Sequence, residues 1–397
     1  MLCTIGIERR VRTVSRRRNK PQQHLAVRGE SIPDRPSTEM WEALISAWRR
    51  MNESEPWNWM NEFQLIGVED PFTGMLGIGR FFGQRKEDVP GFELMFGPRG
   101  LSGQVMIWNR PDMDPAERAT VQSSVIATTA NRSALERWEI EGIRPLGLKF
   151  NGEWPFFRTQ LPGFYPRPLD QSHASTLLFA LDISLEVAMR AKADPNIVRT
   201  LRDMTEPIYL MKGTIEGDEI VWRPGTCKVP PLTASVSMLP EAIIDGFRKE
   251  LDKRPRGNGT WYLGCPIMLN IVIEDHPGRP MVPRTMVFID MSDHRMVMIR
   301  PFGKDMDVLM PLAIVDGLIA GNEIPRRVLV TDDFTEALVT DILPRLGVEV
   351  KREKSLPDEE LMARVAAADL EKKVLDENEG KGAEGRKKRY THTANNK

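Results

Sequence analysis

Residues 252–260, DKRPRGNGT, constrain the fold most because they divide the chain into two parts of different character. The segment combines charge with proline and glycine and contains no apolar residue, which is the composition of a linker or loop. A chain of 397 residues is long enough for two domains. We therefore predict an N-terminal domain over 37–252 and a C-terminal domain over 253–375, between a disordered basic extension over 1–36 and a disordered charged tail over 376–397.

The N-terminal part begins with a helical pattern and continues with strand patterns. Apolar side chains recur at helical spacing from Ser37 to Met51. The segments 63–69 and 75–82 flank DPFTG, whose proline and glycine favour a reverse turn, so a hairpin is expected. The strongest helical pattern covers 171–193, with Asp170 as its N-cap. We predict an antiparallel sheet with helices packed on it.

Two further stretches of this part have weaker patterns. Residues 111–145 are polar and are interpreted as helix and loop. Residues 149–170 are rich in aromatic residues and proline, which removes a backbone donor, so we expect edge or loop structure.

The C-terminal part carries a strand-helix-strand pattern. The short apolar segments 326–331 and 348–353 flank a helical segment, which predicts a parallel pair of strands. A hairpin over 284–301 and a helix over 307–321 precede it, and a helix over about 357–375 follows. We predict the fold class α+β, with a small mixed α/β sheet here whose element order is similar to that of a ribonuclease-H-like core.

Acidic residues at strand ends are the one constellation with a catalytic interpretation. Asp290 ends a strand and Asp332 follows another, while further carboxylates lie on the final helix, namely Glu359, Glu360 and Asp369. In a two-metal nuclease such carboxylates hold Mg²⁺ or Mn²⁺ ions. The alternative is structural, because aspartate bonds its own backbone in turns and at helix starts. Asp290 and Asp332 are the weak catalytic candidates, and otherwise no metal or other cofactor is expected.

Aromatic residues supply the ligand-binding candidates, which are Trp57, Trp59, Trp154, Phe164 and Tyr165. Exposed aromatic rings stack on bases and sugars. Trp57 and Trp59 also lie at the corner between the first helix and the first hairpin, where large apolar side chains pack well. Both interpretations stay open for these residues, with corner packing preferred for the two tryptophans.

Several classes of protein are disfavoured. The formal net charge is −1, which gives the whole molecule no bias toward nucleic acid or membrane. No apolar run of ~18 residues and no signal-peptide pattern occur. Cys3, Cys227 and Cys265 form no CxxC pair and no disulfide framework, which favours a cytoplasmic protein. The basic tails suggest at most a weak nucleic-acid contact, which would depend on salt.

Five segments of the two predicted domains carry a family resemblance. In the first domain they are MWEALISAWRRMNESEPWNWMNEFQLIGVEDPFTGMLGIG and FRTQLPGFYPRPLDQSHASTLLFALDISLEVAMR. In the second they are WYLGCPIML, RPMVPRTMVFID and RRVLVTDDFTEALVTDILPRLGVEVKREKSLP. Through these segments the chain resembles an uncharacterised bacterial family with two domains of unknown function. The chain departs from the family at 80–82, where arginine and two phenylalanines replace small residues, and at Arg167, where tryptophan is usual.

This resemblance implies two domains but transfers no catalytic residues. Because no motif is strong enough to carry catalysis, the first hypothesis is a non-enzymatic binding or interaction module for an unknown protein or small ligand. It predicts a groove lined by the aromatic residues of 149–167. The alternative is a divalent-metal-dependent nuclease, or a degenerate ribonuclease-H-like domain acting on nucleic acid. Whether the protein is an enzyme is left undecided by the sequence.

Overall fold

The computed structural model describes the chain over nine ranges, which are 9–12, 35–84, 89–201, 206–217, 219–229, 239–269, 271–274, 280–302 and 306–380. Most of the extension predicted over 1–36, and the tail from 381 onward, lie outside these ranges. Two described parts differ from the predicted disorder. Arg9–Arg12 forms a strand, and the final helix continues to Gly380 rather than ending near 375.

The chain divides near residue 233 into two compact units. The strands of the first unit are β1 (Arg9–Arg12), β2 (Ile66–Glu69), β3 (Leu76–Phe82), β4 (Gly91–Phe96), β5 (Ser124–Asn131), β6 (Glu153–Gln160), β7 (Ile208–Glu216) and β8 (Glu219–Cys227). Its helices are α1 (Thr38–Ser54), α2 (Gly97–Asn109), α3 (Pro115–Val121), α4 (Arg137–Ile143) and α5 (Gln171–Ala193).

In the described ranges of the first unit the strands form one sheet in the order β1-β8-β7-β2-β3-β4-β5-β6. All neighbours are antiparallel except β2 and β7, which are parallel. Strand β6 lies at an edge, as the proline-rich sequence predicts. Strand β5 was not predicted. The interpretation of residues 111–145 as helix and loop alone was therefore wrong.

Local signals explain where the two long helices begin. The Ser37 hydroxyl accepts a hydrogen bond from the Met40 amide at 3.2 Å at the start of α1. The Asp170 carboxylate accepts one from the His173 amide at 2.9 Å at the start of α5. Both helices pack on one face of the sheet, in a core that includes Trp41, Trp48 and Leu177. The helix α2 contributes to the core on the other face through Leu101.

The second unit contains the remaining elements. Its helices are α6 (Glu241–Leu251), α7 (Met306–Ala320), α8 (Asp333–Val339), α9 (Ile342–Arg345) and α10 (Pro357–Gly380). The strands that follow α6 are β9 (Thr260–Gly264), β10 (Ile273–Glu274), β11 (Pro280–Met281), β12 (Arg284–Asp290), β13 (Arg295–Phe302), β14 (Arg327–Val330) and β15 (Glu349–Arg352).

Five described strands of this unit form a mixed sheet in the order β13-β12-β9-β14-β15. Strands β9, β14 and β15 are parallel, which confirms the predicted parallel pair, and β12 is antiparallel to both its neighbours. The ribonuclease-H-like character of this sheet stays a prediction. Side chains alternate along β9, so that Trp261 and Leu263 join the core beneath α7 while Tyr262 packs toward α10.

The boundary between the units differs from the predicted one at 252. Helix α6 places Ile244 and Leu251 in the core of the second unit, although the linker at 252–260 assigned this helix to the first. Both residues are apolar and lie on the same face of the helix, two turns apart, so α6 must bury that face against a core. Among the described helices, none combines the length and the apolar character that crossing a membrane requires.

Candidate functional site

The two acidic candidates are held by local structure. The Asp332 carboxylate caps α8, accepting hydrogen bonds from the Thr335 amide at 2.9 Å and the Thr335 hydroxyl at 2.7 Å. The Asp290 carboxylate accepts from the amide and hydroxyl of Ser292 in the turn after β12. Burial alone would raise the pKa of Asp290, but hydrogen bonds from Ser292 and Trp261 outweigh burial and lower it. Both carboxylates therefore have structural partners.

The sheet also separates these two carboxylates. Asp290 lies opposite Trp261, and Trp261 lies opposite Val328 on the next strand. Asp332 follows Val328 by four residues, which is ~13 Å along the strand direction at ~3.3 Å per residue. Two strand spacings add ~10 Å across the sheet. A metal pair needs its ligands around ions only ~4 Å apart, so Asp290 and Asp332 do not share such a site. Within the described ranges, no three His, Cys, Asp or Glu side chains are grouped so that they could hold a metal ion.

Trp57 and Trp59 occupy the corner after α1, where Trp57 is buried and Trp59 is partly buried. Trp57 is only 6% exposed and packs against Trp48, with ring centroids 6.1 Å apart. The Trp59 indole donates to the Ala188 carbonyl at 2.9 Å, and the Lys192 ammonium lies 4.2 Å from its ring centre. The corner interpretation therefore describes both residues, and a stacking platform at Trp57 is excluded by its burial.

The other aromatic candidates remain partly exposed. Trp154 packs against Phe150 with centroids 4.5 Å apart, and Arg132 lies 5.7 Å from its ring centre. Phe164 and Tyr165 are each partly buried. Neither of the two depressions described here is lined by these residues. One is a cavity of about 10 Å³ between α5 and the sheet, lined in part by Phe179 and Trp222, and it holds at most about one water.

A wider depression, shallow and largely open to solvent, lies on the first unit between α1 and α5. It is lined by Arg50 of α1 and by residues of α5, namely Asp182, Leu185, Glu186, Met189, Arg190 and Ala193. Leu185, Met189 and Ala193 follow each other at intervals of four residues, so they form an apolar stripe ~12 Å long on the outer face of the helix. Met189 is 46% exposed at the centre of this stripe.

The charges beside the stripe neutralise each other. Arg50 of α1 pairs with Asp182 of α5 at 2.5 Å, and Glu186 pairs with Arg190 one turn further along α5. The pairing between α1 and α5 joins the two walls of the depression. Because each cation has its own carboxylate, the stripe offers an apolar contact without a strong net charge.

A buried charged network on the opposite face of the sheet was not predicted. Arg80 pairs with the almost fully buried Glu93 at 2.8 Å and with Glu62 at 3.2 Å. The Trp108 indole donates to Glu62 at 3.3 Å, and Arg80 lies 5.5 Å from the Trp108 ring centre. The sequence contained a signal for this network, because Arg80 stands where the family that the chain resembles has a small residue. The neighbouring strand carries Glu93. This network is satisfied internally, so we regard it as structural.

Two family descriptions match consecutive parts of the sequence. "Domain of unknown function (DUF7309)" matches residues 41–207, and "Domain of unknown function (DUF6930)" matches residues 248–362. The chain is therefore similar to one family of unknown function over its first part and to another over its second part. This confirms the resemblance to a two-domain family of unknown function. No curated protein matches the sequence.

The family boundaries add information about the two units. The depression between α1 and α5 and the Arg80 network both lie within the DUF7309 match. Strands β7 and β8 lie beyond that match, yet they belong to the same sheet, since β7 pairs with β2 and β8 pairs with β7. The DUF6930 match begins inside α6, which agrees with the packing of this helix in the second unit.

We expect Cys265, which lies within the DUF6930 match, to resist alkylation in the folded protein. Burial, and then the charge of Asp332, raise the pKa of this thiol to about 12, so it carries no thiolate near pH 8. Iodoacetamide followed by mass spectrometry should leave Cys265 unmodified in the native protein and modify it after unfolding. The partly buried Cys227 serves as the internal comparison. Equal rates for Cys265 in the folded and unfolded chain would contradict its inert role.

Proposed function

We propose that the protein is a non-enzymatic interaction module that binds an amphipathic helical segment of a partner protein between α1 and α5. The observation that carries this proposal is the apolar stripe of partly buried Leu185 and exposed Met189 and Ala193, which lies in a shallow depression open to solvent. An amphipathic helix recognised in a groove presents anchors at i, i+3, i+4 and i+7, over a length of ~11 Å. The stripe has a matching length.

The chemistry of the depression supports a protein segment rather than a charged ligand. The ion pairs of Arg50 with Asp182 and of Glu186 with Arg190 leave little net charge to attract one. Methionine is flexible and polarisable and adapts to different apolar partners. The free cysteines Cys227 and Cys265 suit a reducing compartment, and together with the family resemblance they support a bacterial, cytoplasmic setting as part of the proposal.

A titration with a model peptide tests this proposal. The probe is a fluorescein-labelled peptide of ~15 residues with leucine along one helical face, and binding is followed by fluorescence polarisation. Met189→Glu should weaken binding by at least about tenfold, because burying a methionine contributes ~1.5–3 kcal/mol. The matched control is Met106→Glu, since Met106 lies on α2 and is 40% exposed. Absence of saturable binding, or equal losses in the two variants, would refute the proposal.

The alternative of a divalent-metal nuclease keeps one supporting observation, which is the strand order of the second unit. The separation of Asp290 from Asp332 argues against it. We therefore expect no cleavage of single- or double-stranded DNA or RNA in the presence of Mg²⁺ or Mn²⁺, measured by gel electrophoresis. Metal-dependent cleavage that disappears in Asp290→Asn or Asp332→Asn would favour the nuclease instead.

A further inference from the structure

An arginine lies at the end of the second sheet where β9 and β14 have their carboxyl ends. Strand β12 is antiparallel to β9, so its first residue, Arg284, lies where β9 ends. Cys265 follows β9, and Asp332 and Phe334 follow β14 at the start of α8. In open sheets with parallel strands, the crevice beside such strand ends is where ligands bind.

The contacts of Arg284 cover one side of its guanidinium group and leave donors unused. One terminal nitrogen donates to the Cys265 carbonyl at 2.9 Å, and the group lies 3.9 Å from the centre of the Phe334 ring. A guanidinium has five N–H donors, so a single acceptor leaves most of them available. Among the described residues, no carboxylate forms an ion pair with Arg284 within 4.0 Å.

The charge of Arg284 is poorly compensated where it lies. Burial lowers the pKa of Arg284, and the neighbouring Cys265 and Asp332 offset this only in part. Cys265 supplies no negative charge near neutral pH, because burial raises the pKa of its thiol to about 12. Asp332 is engaged with Thr335 through both of its oxygens. A partly desolvated cation without a close anion costs free energy that an incoming anion would recover.

We propose that Arg284 is the centre of a binding site for a small molecule with a single carboxylate group. The planar guanidinium matches the two oxygens of a carboxylate through parallel hydrogen bonds along its open edge. Asp332 lies beside the site, so its charge repels a doubly charged phosphate more than a singly charged carboxylate. Phe334 is 37% exposed and gives the apolar part of the ligand a surface to pack against. The site belongs to the second unit and does not rest on the depression between α1 and α5.

The experiment uses sodium benzoate as the carboxylate probe and sodium phosphate as the comparison, at constant ionic strength, with isothermal titration calorimetry of the full chain. Benzoate should bind with saturation in the millimolar range and phosphate more weakly. Arg284→Gln should weaken benzoate binding by at least about tenfold. The matched control is Arg300→Gln, because Arg300 is a partly exposed arginine on the neighbouring strand that pairs with Asp316 at 2.6 Å. That variant should bind benzoate as the unsubstituted protein does.

Three results would overturn the proposal, which are no saturable benzoate binding, equal losses in Arg284→Gln and Arg300→Gln, or tighter binding of phosphate than of benzoate. Circular dichroism checks that Arg284→Gln is folded. If it is not, Phe334→Ala removes only a partly exposed ring at the end of α8 and takes its place. Weaker benzoate binding in Phe334→Ala then supports the site, and unchanged binding refutes it.

Discussion

Replacing Arg158 by methionine should destabilise the first unit by about 3–5 kcal/mol, which is the usual effect of breaking a buried ion pair from one side. Arg158 pairs with Glu139 at 2.8 Å, and Glu139 is only 1% exposed. The guanidinium also donates to the carbonyls of Phe157 and Ala134. The variant leaves a buried carboxylate and two carbonyls without the Arg158 donor. Urea unfolding followed by circular dichroism measures the resulting loss of stability.

The loss in Arg158→Met should also depend on pH. Burial raises the pKa of Glu139 above its ordinary value of 4.5, although Arg158 lowers it, and removing Arg158 raises it further. For an acid with a raised folded-state pKa, the folded state binds the proton more tightly. Stability is then retained below pH 4.5 and lost as the pH rises through the folded-state pKa. The destabilisation should therefore be larger at neutral pH than near pH 4.5.

Arg137→Met is the matched control for this prediction. Arg137 lies on α4, the helix that carries Glu139, and pairs with Glu141, but its side chain is 92% exposed. Exposed pairs of this kind contribute only ~0.3–0.5 kcal/mol on a helix. If the two variants lost similar amounts of stability, or if the loss in Arg158→Met did not depend on pH, the buried pair of Arg158 and Glu139 would not stabilise the first unit in this way.

Trp57→Ala should destabilise the first unit by about 3–5 kcal/mol, as large-to-small changes of buried aromatic residues do. The ring is buried beside Trp48 and Met60 in the corner that follows α1. The same substitution at Trp154 should cost less, because Trp154 lies on the edge strand β6 and is partly exposed. Urea unfolding of both variants compares them directly. A smaller loss at Trp57 than at Trp154 would contradict the packing interpretation of the corner.

Local patterns in the sequence predict much of this fold. The helix α5 agrees with its predicted range of 171–193 because its apolar spacing, its N-cap Asp170 and the following proline all indicate the same limits. Strand β5 was not predicted because its second half is polar and lies at the end of the sheet. Apolar and polar residues therefore do not alternate regularly along this strand. Helix α6 was assigned to the wrong unit because an amphipathic pattern identifies a buried face but not what covers it.

The candidate sites could not be predicted for a related reason. Arg50 and Asp182 are 132 residues apart in the sequence, and only the packing of α1 against α5 brings them into contact. The pattern of α5 places Met189 on the outer face, but it does not indicate a neighbouring wall. Arg284 is unremarkable as the first residue of a hairpin strand. Its position becomes informative only when the antiparallel register places it beside the end of β9.

The most direct test of the proposed interaction surface is methyl NMR of the protein with its 21 methionines labelled on the ε-methyl group. Met189→Leu assigns the signal at the centre of the depression, and Met106→Leu assigns an exposed signal on α2. On titration with the amphipathic peptide, the Met189 signal should shift in a saturable way while the Met106 signal stays in place. Peptide binding that leaves the Met189 signal unchanged would contradict the proposal that the partner is bound between α1 and α5.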